Sequence, residues 1–269
     1  MKLTVLVDNN TFIDQYYLGE PAVSYYIEDE EIRLLFDTGY SDIVVSNAKL
    51  LNIDLDKLTH IALSHGHNDH TRGFMYLKDK YDLSQVKVIA HPDCFYPKYY
   101  DEESIGSELS LEQIEKISKL KLSKEPYEIS ERLIFLGEIP QYLAFEPRIP
   151  IGKTIINGKA YIDTLLDDTA IVYKAKSGLF IITGCSHSGI CNIIEHAKKV
   201  CSSDKILGVI GGFHMFDCDE RLDATVDYLK NENIPMLYPG HCISFQAKAK
   251  MNNALKVHDV GVGLTIELK

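Results

Sequence analysis

Residues 63–70 have the sequence LSHGHNDH, and the rest of the chain is interpreted from this stretch. Four strong metal ligands fall within six of its positions: His65, His67, Asp69 and His70. The apolar run at 59–63 predicts a buried strand just before them, and Gly66 lets the chain turn sharply as it leaves that strand. Four such side chains are hard to explain by packing alone, so this spacing indicates a metal site.

The alternation of these ligands predicts two metal ions. His65 and His67 would face one side of the loop, and Asp69 and His70 would face the other. Two divalent ions roughly 3.5–4 Å apart form a known hydrolytic device, because they clamp a substrate and lower the pKa of a bridging water.

Other predicted strands also end in polar residues. Three histidines follow predicted strands within the motifs GCSH, GGFH and PGHC: His187, His214 and His241. Layered α/β proteins build their sites from side chains just past strand ends. Asp37 follows a further strand, and a buried carboxylate at that position can orient a metal-binding loop by hydrogen bonds.

The order of predicted elements indicates an α/β protein built as a four-layer αββα sandwich. We predict one domain over residues 1–269, with an insert or lid around 94–130. Within the insert, residues 96–107 are rich in tyrosine and acidic residues and show no apolar period. They are therefore predicted to form a flap or insert that covers the site.

Composition excludes several classes of protein. The formal net charge of −11 argues against a general nucleic-acid binder. Six cysteines without a C-x-x-C pair do not predict a zinc ribbon or a disulfide framework. No apolar stretch approaches 18 residues, and no signal-peptide pattern opens the sequence. We expect a cytoplasmic protein that binds a small molecule and neither nucleic acid nor membrane.

The motifs resemble those of the metallo-β-lactamase superfamily over nearly the whole chain. The matching pieces are VDNN at 7–10, LLFDTG at 34–39, LSHGHNDHTRGF at 63–74, HPD at 91–93, ITGCSHSGICNII at 182–194, GGFHM at 211–215 and PGHC at 239–242. GCSH and GGFH resemble one branch, whose members are described as metal-dependent hydrolases or as 7,8-dihydropterin-6-yl-methyl-4-(β-D-ribofuranosyl)aminobenzene-5′-phosphate synthases. The resemblance implies the metallo-β-lactamase fold.

The resemblance also implies a dinuclear metal site. One ion would bind His65 and His67, and the second would bind Asp69 and His70. His241 matches the last metal histidine of the superfamily.

The remaining ligand positions stay open. Many superfamily members place a bridging aspartate where this chain has Cys185, and His187 lies two residues further on. We favour His187 as the ligand and keep Cys185 as the alternative. Many members also have a histidine just before the strand equivalent to 170–174, where this chain has Leu166-Asp167-Asp168. Either Asp168 substitutes for that histidine or His187 fills the position. Zinc is the expected metal, and a thiolate would favour it. Iron or manganese would suit a site richer in carboxylate.

The leading function is a metal-dependent hydrolase acting on an anionic, phosphorylated small molecule. Asp69 is expected to be both ligand and proton acceptor, and His214 is a candidate for proton delivery. Four residues are expected to contact the substrate: Asn9, His91, Lys98 and Arg72. Arg72 stands where the branch usually has glycine, so it is either a positive group at the mouth or a solvated surface residue.

Two alternative functions belong to other classes of protein. The first is the synthase reaction, in which a pterin diphosphate condenses with an aminobenzene ribosyl phosphate. The second is a binding or redox module that holds metal without hydrolysis. The complete set of four ligands at 65–70 counts against this module, because non-catalytic relatives usually lose ligands.

Overall fold

The computed structural model describes residues 1–269, which divide into two units, each with its own apolar core. The first unit comprises Met1–Lys124, Pro150–Asp167 and Gly261–Leu268. The second comprises Glu125–Ile149 and Asp168–Val260, together with the final residue. None of the helices has the length and apolar character needed to cross a bilayer.

A seven-stranded sheet forms the centre of the first unit. In pairing order its strands are β17 (Thr265–Glu267), β1 (Lys2–Val7), β2 (Ser24–Asp29), β3 (Ile32–Phe36), β4 (His60–Ala62), β5 (Lys87–Ala90) and β8 (Lys119–Leu122). From β3 to β8 the neighbours are parallel, so their carboxyl ends share one edge of the sheet. Asp37, the stretch 63–70 and His91 all follow strands at that edge.

Four helices accompany this sheet: α1 (Ile43–Leu50), α2 (Asn68–Thr71), α3 (Phe74–Lys80) and α4 (Leu111–Ile117). The sequence predicts α4 from Ser110 and Gln113, which match a capping box. The structure confirms it, because the Ser110 hydroxyl accepts from the Gln113 amide and the Gln113 side chain accepts from the Ser110 amide.

A second, smaller sheet belongs to the first unit. Its strands pair in the order β12 (Lys159–Ile162), β11 (Lys153–Ile156), β6 (Lys98–Tyr100) and β7 (Glu103–Ser104). The segment at 96–107, which was predicted to be a flap or insert without an apolar period, supplies two of these strands. Its pairing with β11 joins positions more than 50 residues apart in sequence, such as Lys98 and Thr154. No local pattern reveals such a pairing. A role as a lid stays a prediction.

The second unit contains a six-stranded sheet. In pairing order its strands are β16 (Met236–Gly240), β15 (Ile206–Gly212), β14 (Gly178–Thr183), β13 (Ala170–Ala175), β10 (Leu133–Phe135) and β9 (Tyr127–Glu128). Its helices are α5 (Ile190–Cys201), α6 (Glu220–Asn231) and α7 (Phe245–Ala254). The apolar spacing in the sequence predicts α5, whose buried side includes Ile190, Ile193, Ile194 and Ala197.

His60 gives the first unit a defined dependence on pH. Burial, helped by the Lys87 ammonium, lowers the pKa of His60 from 6.5 to about 4. Between those pH values the unfolded chain binds a proton here that the folded chain does not. The contribution of His60 to folding stability is therefore lost as the pH falls from 6.5 towards 4.

We expect the urea midpoint of the wild-type protein to fall more between pH 7 and pH 5 than that of His60→Gln. Chelated samples of both proteins would be compared at each pH, so that metal release does not contribute. An identical pH dependence in the two proteins would contradict the assignment to His60.

Candidate metal centre

The first unit brings three histidines of the 63–70 stretch into contact with one another. His65 and His70 are fully buried, and His67 is nearly so. The Nε2 atom of His65 lies 3.1 Å from Nδ1 of His67. The ring centroid of His65 lies 4.7 Å from that of His67 and 4.1 Å from that of His70. Burial lowers the pKa of His67 to about 4, so its ring is neutral at pH 7, the form that binds metal.

Asp37 orients this cluster, as the sequence predicts. Its Oδ1 accepts from the amide of Ser64 at 2.7 Å, and its Oδ2 accepts from the Ser64 hydroxyl at 2.7 Å. Oδ2 also accepts from Nδ1 of His70 at 2.7 Å. This bond fixes the His70 ring and leaves Nε2 as the atom that can reach a metal. Burial opposes protonation of His70, yet the Asp69 and Asp37 carboxylates hold its pKa well above the usual value.

Gly66 is required by close packing. A Cβ atom at this position would lie 2.1 Å from the carbonyl oxygen of Cys94 and 2.8 Å from Cε of Lys98. Its amide donates to Oδ2 of Asp167 at 2.8 Å. Any side chain here would therefore displace the loop that carries His65 and His67.

Sequence reasoning missed Asp167. Its carboxylate is buried and pairs with Lys98, whose Nζ lies 3.2 Å from Asp167 Oδ1 and 2.8 Å from Asp163 Oδ2. Although burial opposes ionisation, the Lys98 ammonium lowers the pKa of Asp167. We call Lys98, Asp163 and Asp167 the Lys98 triad. Through the hydrogen bond between the Gly66 amide and Asp167, the triad holds the loop at 63–70, the metal loop, in place. No signal separated Asp167 from its neighbour Asp168 in the sequence.

The sequence predicts that Lys98 contacts a phosphate, but the structure gives it a different environment. Lys98 is only 1 % exposed, and its ammonium is balanced by two carboxylates. Burial opposes its charge, and the Asp167 and Asp163 carboxylates more than compensate, so its pKa is raised. The Lys98 ammonium therefore supports the metal loop, and the two carboxylates that neutralise its charge weaken its attraction for an anion.

The other predicted substrate residues have different surroundings. The Nε of Arg72 donates to the Glu108 carboxylate, and its guanidinium lies 4.4 Å from the Tyr40 ring centroid. The charge of Arg72 is thus paired with Glu108, an arrangement expected of a surface residue. His91 is buried and accepts from the Asp93 amide through Nδ1. Asn9 is exposed in the turn after β1.

The second unit carries its own set of candidate ligands at one sheet edge. β14, β15 and β16 are parallel, and Cys185, His187, His214 and His241 follow their carboxyl ends. The ring centroids of His187 and His214 lie 4.4 Å apart. His214 and His241 adopt left-handed backbone conformations, with φ of 49° and 47°. Such conformations are uncommon for non-glycine residues and concentrate at functional sites.

Asp168 holds the loop that contains His187. Its Oδ2 accepts from the Ser188 amide at 2.8 Å and from the Ser188 hydroxyl. Burial raises the pKa of this carboxyl group. One oxygen of Asp168 is therefore engaged within the unit, and a role as metal ligand stays a prediction.

The candidate ligands carry the donor types that divalent metal ions prefer. In the first unit the candidate ligands are His65, Asp69 and His70, and in the second they are Cys185, His187 and His241. Imidazole, thiolate and carboxylate are the groups that bind zinc and related ions. The buried, neutral His67 adds a further imidazole to the first set.

His187 and Cys185 can be distinguished by substitution. We expect His187→Ala to lower the bound metal, because the loop between Gly184 and Gly189 allows the imidazole to turn inward. Cys185→Ser should retain more metal. Elemental analysis of both variants beside the wild type checks this. Loss of metal only in the cysteine variant would reverse the assignment.

The fold and these candidate metal ligands define a protein of the metallo-β-lactamase type, and the comparisons agree. The Metallo-beta-lactamase superfamily profile matches residues 18–191, so the chain belongs to this superfamily. The predicted fold is confirmed by the crystal structure of Tm1679, described as a metal-dependent hydrolase of the beta-lactamase superfamily. The TM-score is 0.86 at 27% identity, covering 100% of this chain and 99% of that one.

Two relatives come from Methanocaldococcus jannaschii. The uncharacterized protein MJ0448 is 35% identical over 253 residues, which are 93% of each chain. A 7,8-dihydropterin-6-methyl-4-(beta-D-ribofuranosyl)-aminobenzene-5'-phosphate synthase is 31% identical over 263 residues, 92% of this chain and 89% of the relative. The branch indicated by GCSH and GGFH is therefore also confirmed.

Proposed function

We propose that the protein is a metal-dependent hydrolase of an anionic, phosphorylated small molecule. The observation that carries the proposal is the buried histidine cluster His65, His67 and His70, oriented by Asp37. Burying three imidazoles together costs free energy unless their nitrogen atoms are satisfied by hydrogen bonds or by bound metal. Membership of the superfamily and the resemblance to a metal-dependent hydrolase support the same conclusion.

The proposed centre uses the ligands that the sequence predicts. His65 and His67 would hold one ion, Asp69 and His70 the second, and His187 and His241 would complete the set. Two divalent ions, zinc by preference, would lower the pKa of water and stabilise negative charge that develops on the substrate. Iron or manganese remains an alternative.

The chain's own residues then have separate tasks. Asp37 fixes the tautomer of His70, and the Lys98 triad holds the backbone at Gly66. Asp69 would accept a proton, and His214 would deliver one to the leaving group. His214 is partly exposed, which suits a residue that exchanges protons with solvent.

The runner-up function is the synthase reaction. The observation in its favour is the 31% identical relative that is named as such a synthase. In this reaction the same centre would activate a diphosphate leaving group, and an aminobenzene ribosyl phosphate would replace water as the acceptor.

The test is an activity screen of the full chain after metal restoration. Phosphoesters, lactones and thioesters would be assayed for hydrolysis, and a pterin diphosphate with an aminobenzene ribosyl phosphate would be assayed for condensation. Hydrolysis that is lost in Asp69→Asn supports the leading proposal. Condensation without hydrolysis would replace it with the synthase reaction.

A further inference from the structure

A cavity beside the Lys98 triad plays no part in the proposed metal centre. It lies within the first unit, and its volume is about 170 Å³. Its lining includes Asp93, Tyr96, Lys98, Tyr161, Ile162 and Asp167. We call it the Tyr96 cavity.

The rim of the Tyr96 cavity exposes apolar side chains. Tyr161 is 51 % exposed and Ile162 is 72 % exposed, and both belong to β12. Together with Tyr96 they offer aromatic and aliphatic surface next to a cavity. Exposed apolar surface around a concave site is typical of ligand binding. A flat ring would cover these side chains.

The charged residues of the lining indicate which substituents a bound ring would carry. Lys98 is balanced by Asp163 and Asp167, so it does not attract an anion. Asp93 adds a partly exposed carboxylate, whose Oδ2 lies 4.0 Å from Nδ1 of His91, too far for a hydrogen bond. The lining therefore carries more negative than positive charge. It favours a group that donates hydrogen bonds or carries positive charge, since a carboxylate only accepts.

The cavity is linked to the metal loop by one side chain. Asp167 lines the cavity with part of its surface, and its Oδ2 accepts from the Gly66 amide. A ligand in the cavity would therefore lie one residue away from the loop that carries His65 and His67. This position suits a part of the substrate that is not transformed but is used for recognition.

We propose that the Tyr96 cavity binds a flat ring with amino or amidine substituents, which donate hydrogen bonds to Asp93 while the ring packs against Tyr96 and Tyr161. The identification of this ring as part of the substrate rests on the proposed function. The binding itself does not, because the cavity contains none of the proposed metal ligands.

The test measures binding of benzamidine to the full chain by calorimetry and by ligand-observed NMR, as purified and after chelation. Benzamidine is flat and cationic and has two donor nitrogens, and benzoate is its flat anionic counterpart. We expect benzamidine to bind with a Kd in the millimolar range under both conditions, and benzoate to show no saturable binding after chelation.

Two variants locate the site. Asp93→Asn should weaken benzamidine binding by about tenfold, because it removes the negative charge of the group that accepts hydrogen bonds from the amidine. Tyr161→Ala removes an exposed wall of the cavity and should weaken it severalfold without disturbing the fold. Asp79→Asn is the control, since Asp79 is exposed on α3 and outside the cavity.

Unchanged binding in both cavity variants, or equal binding of benzoate after chelation, would overturn the proposal. Failure of the activity screen would leave these binding results intact, so the two proposals are tested separately.

Discussion

His67→Ala should lower the activity of the metal-restored protein by roughly 10²-fold or more, because loss of an outer partner alone typically costs about 10–100-fold and His67 is a direct ligand in the proposed centre. The ring is nearly buried, and its Nδ1 lies 3.1 Å from Nε2 of His65. Activity and bound metal would be measured on the same samples.

The matched control is His258→Ala, because His258 is not a candidate ligand and its ring stacks on Tyr238, with 4.6 Å between the ring centroids. It should keep its metal and its activity. Full metal content and full activity in His67→Ala would exclude this residue from the centre.

Lys98→Met should have the largest effect on stability. The change leaves Asp163 and Asp167 buried without their positive partner. Breaking a buried ion pair by removing one partner costs roughly 3–5 kcal/mol. Urea unfolding of the chelated protein would measure the loss, and Lys116→Met, an exposed lysine on α4, is the control.

Neutralising the whole triad separates charge from packing. Lys98→Met combined with Asp163→Asn and Asp167→Asn should recover much of the lost stability, because no unpaired charge remains. An asparagine oxygen at 167 can still accept from the Gly66 amide. A loss below about 1 kcal/mol in the single Lys98→Met variant would show that the two carboxylates do not need this lysine.

Much of the fold could be predicted because its strongest signals are local. The apolar run at 59–63 predicts β4, and the buried strand is confirmed at His60–Ala62. The amphipathic spacing after Gly189 predicts α5. The orienting role of Asp37 followed from its place at a strand end beside the metal stretch, and the hydrogen bonds to Ser64 and His70 confirm it.

The missed features depend on contacts between distant positions. β6 and β11 are short and have no clear alternation, so the local sequence does not predict their pairing. Lys98 was predicted to bind phosphate because it lies in the segment that was expected to cover the site. Its partners Asp163 and Asp167 lie 65 and 69 residues further along the chain. Nothing in the local sequence connects these three residues, and the same is true of Asp167 and Gly66.

The central claim is that the chain holds two metal ions through the 63–70 stretch. Elemental analysis of freshly purified protein, before and after supplementation with zinc, iron or manganese, tests it most directly. The account predicts two tightly held ions per chain in the wild type and fewer in His67→Ala. At most one ion per chain in the wild type, even after supplementation, would contradict it.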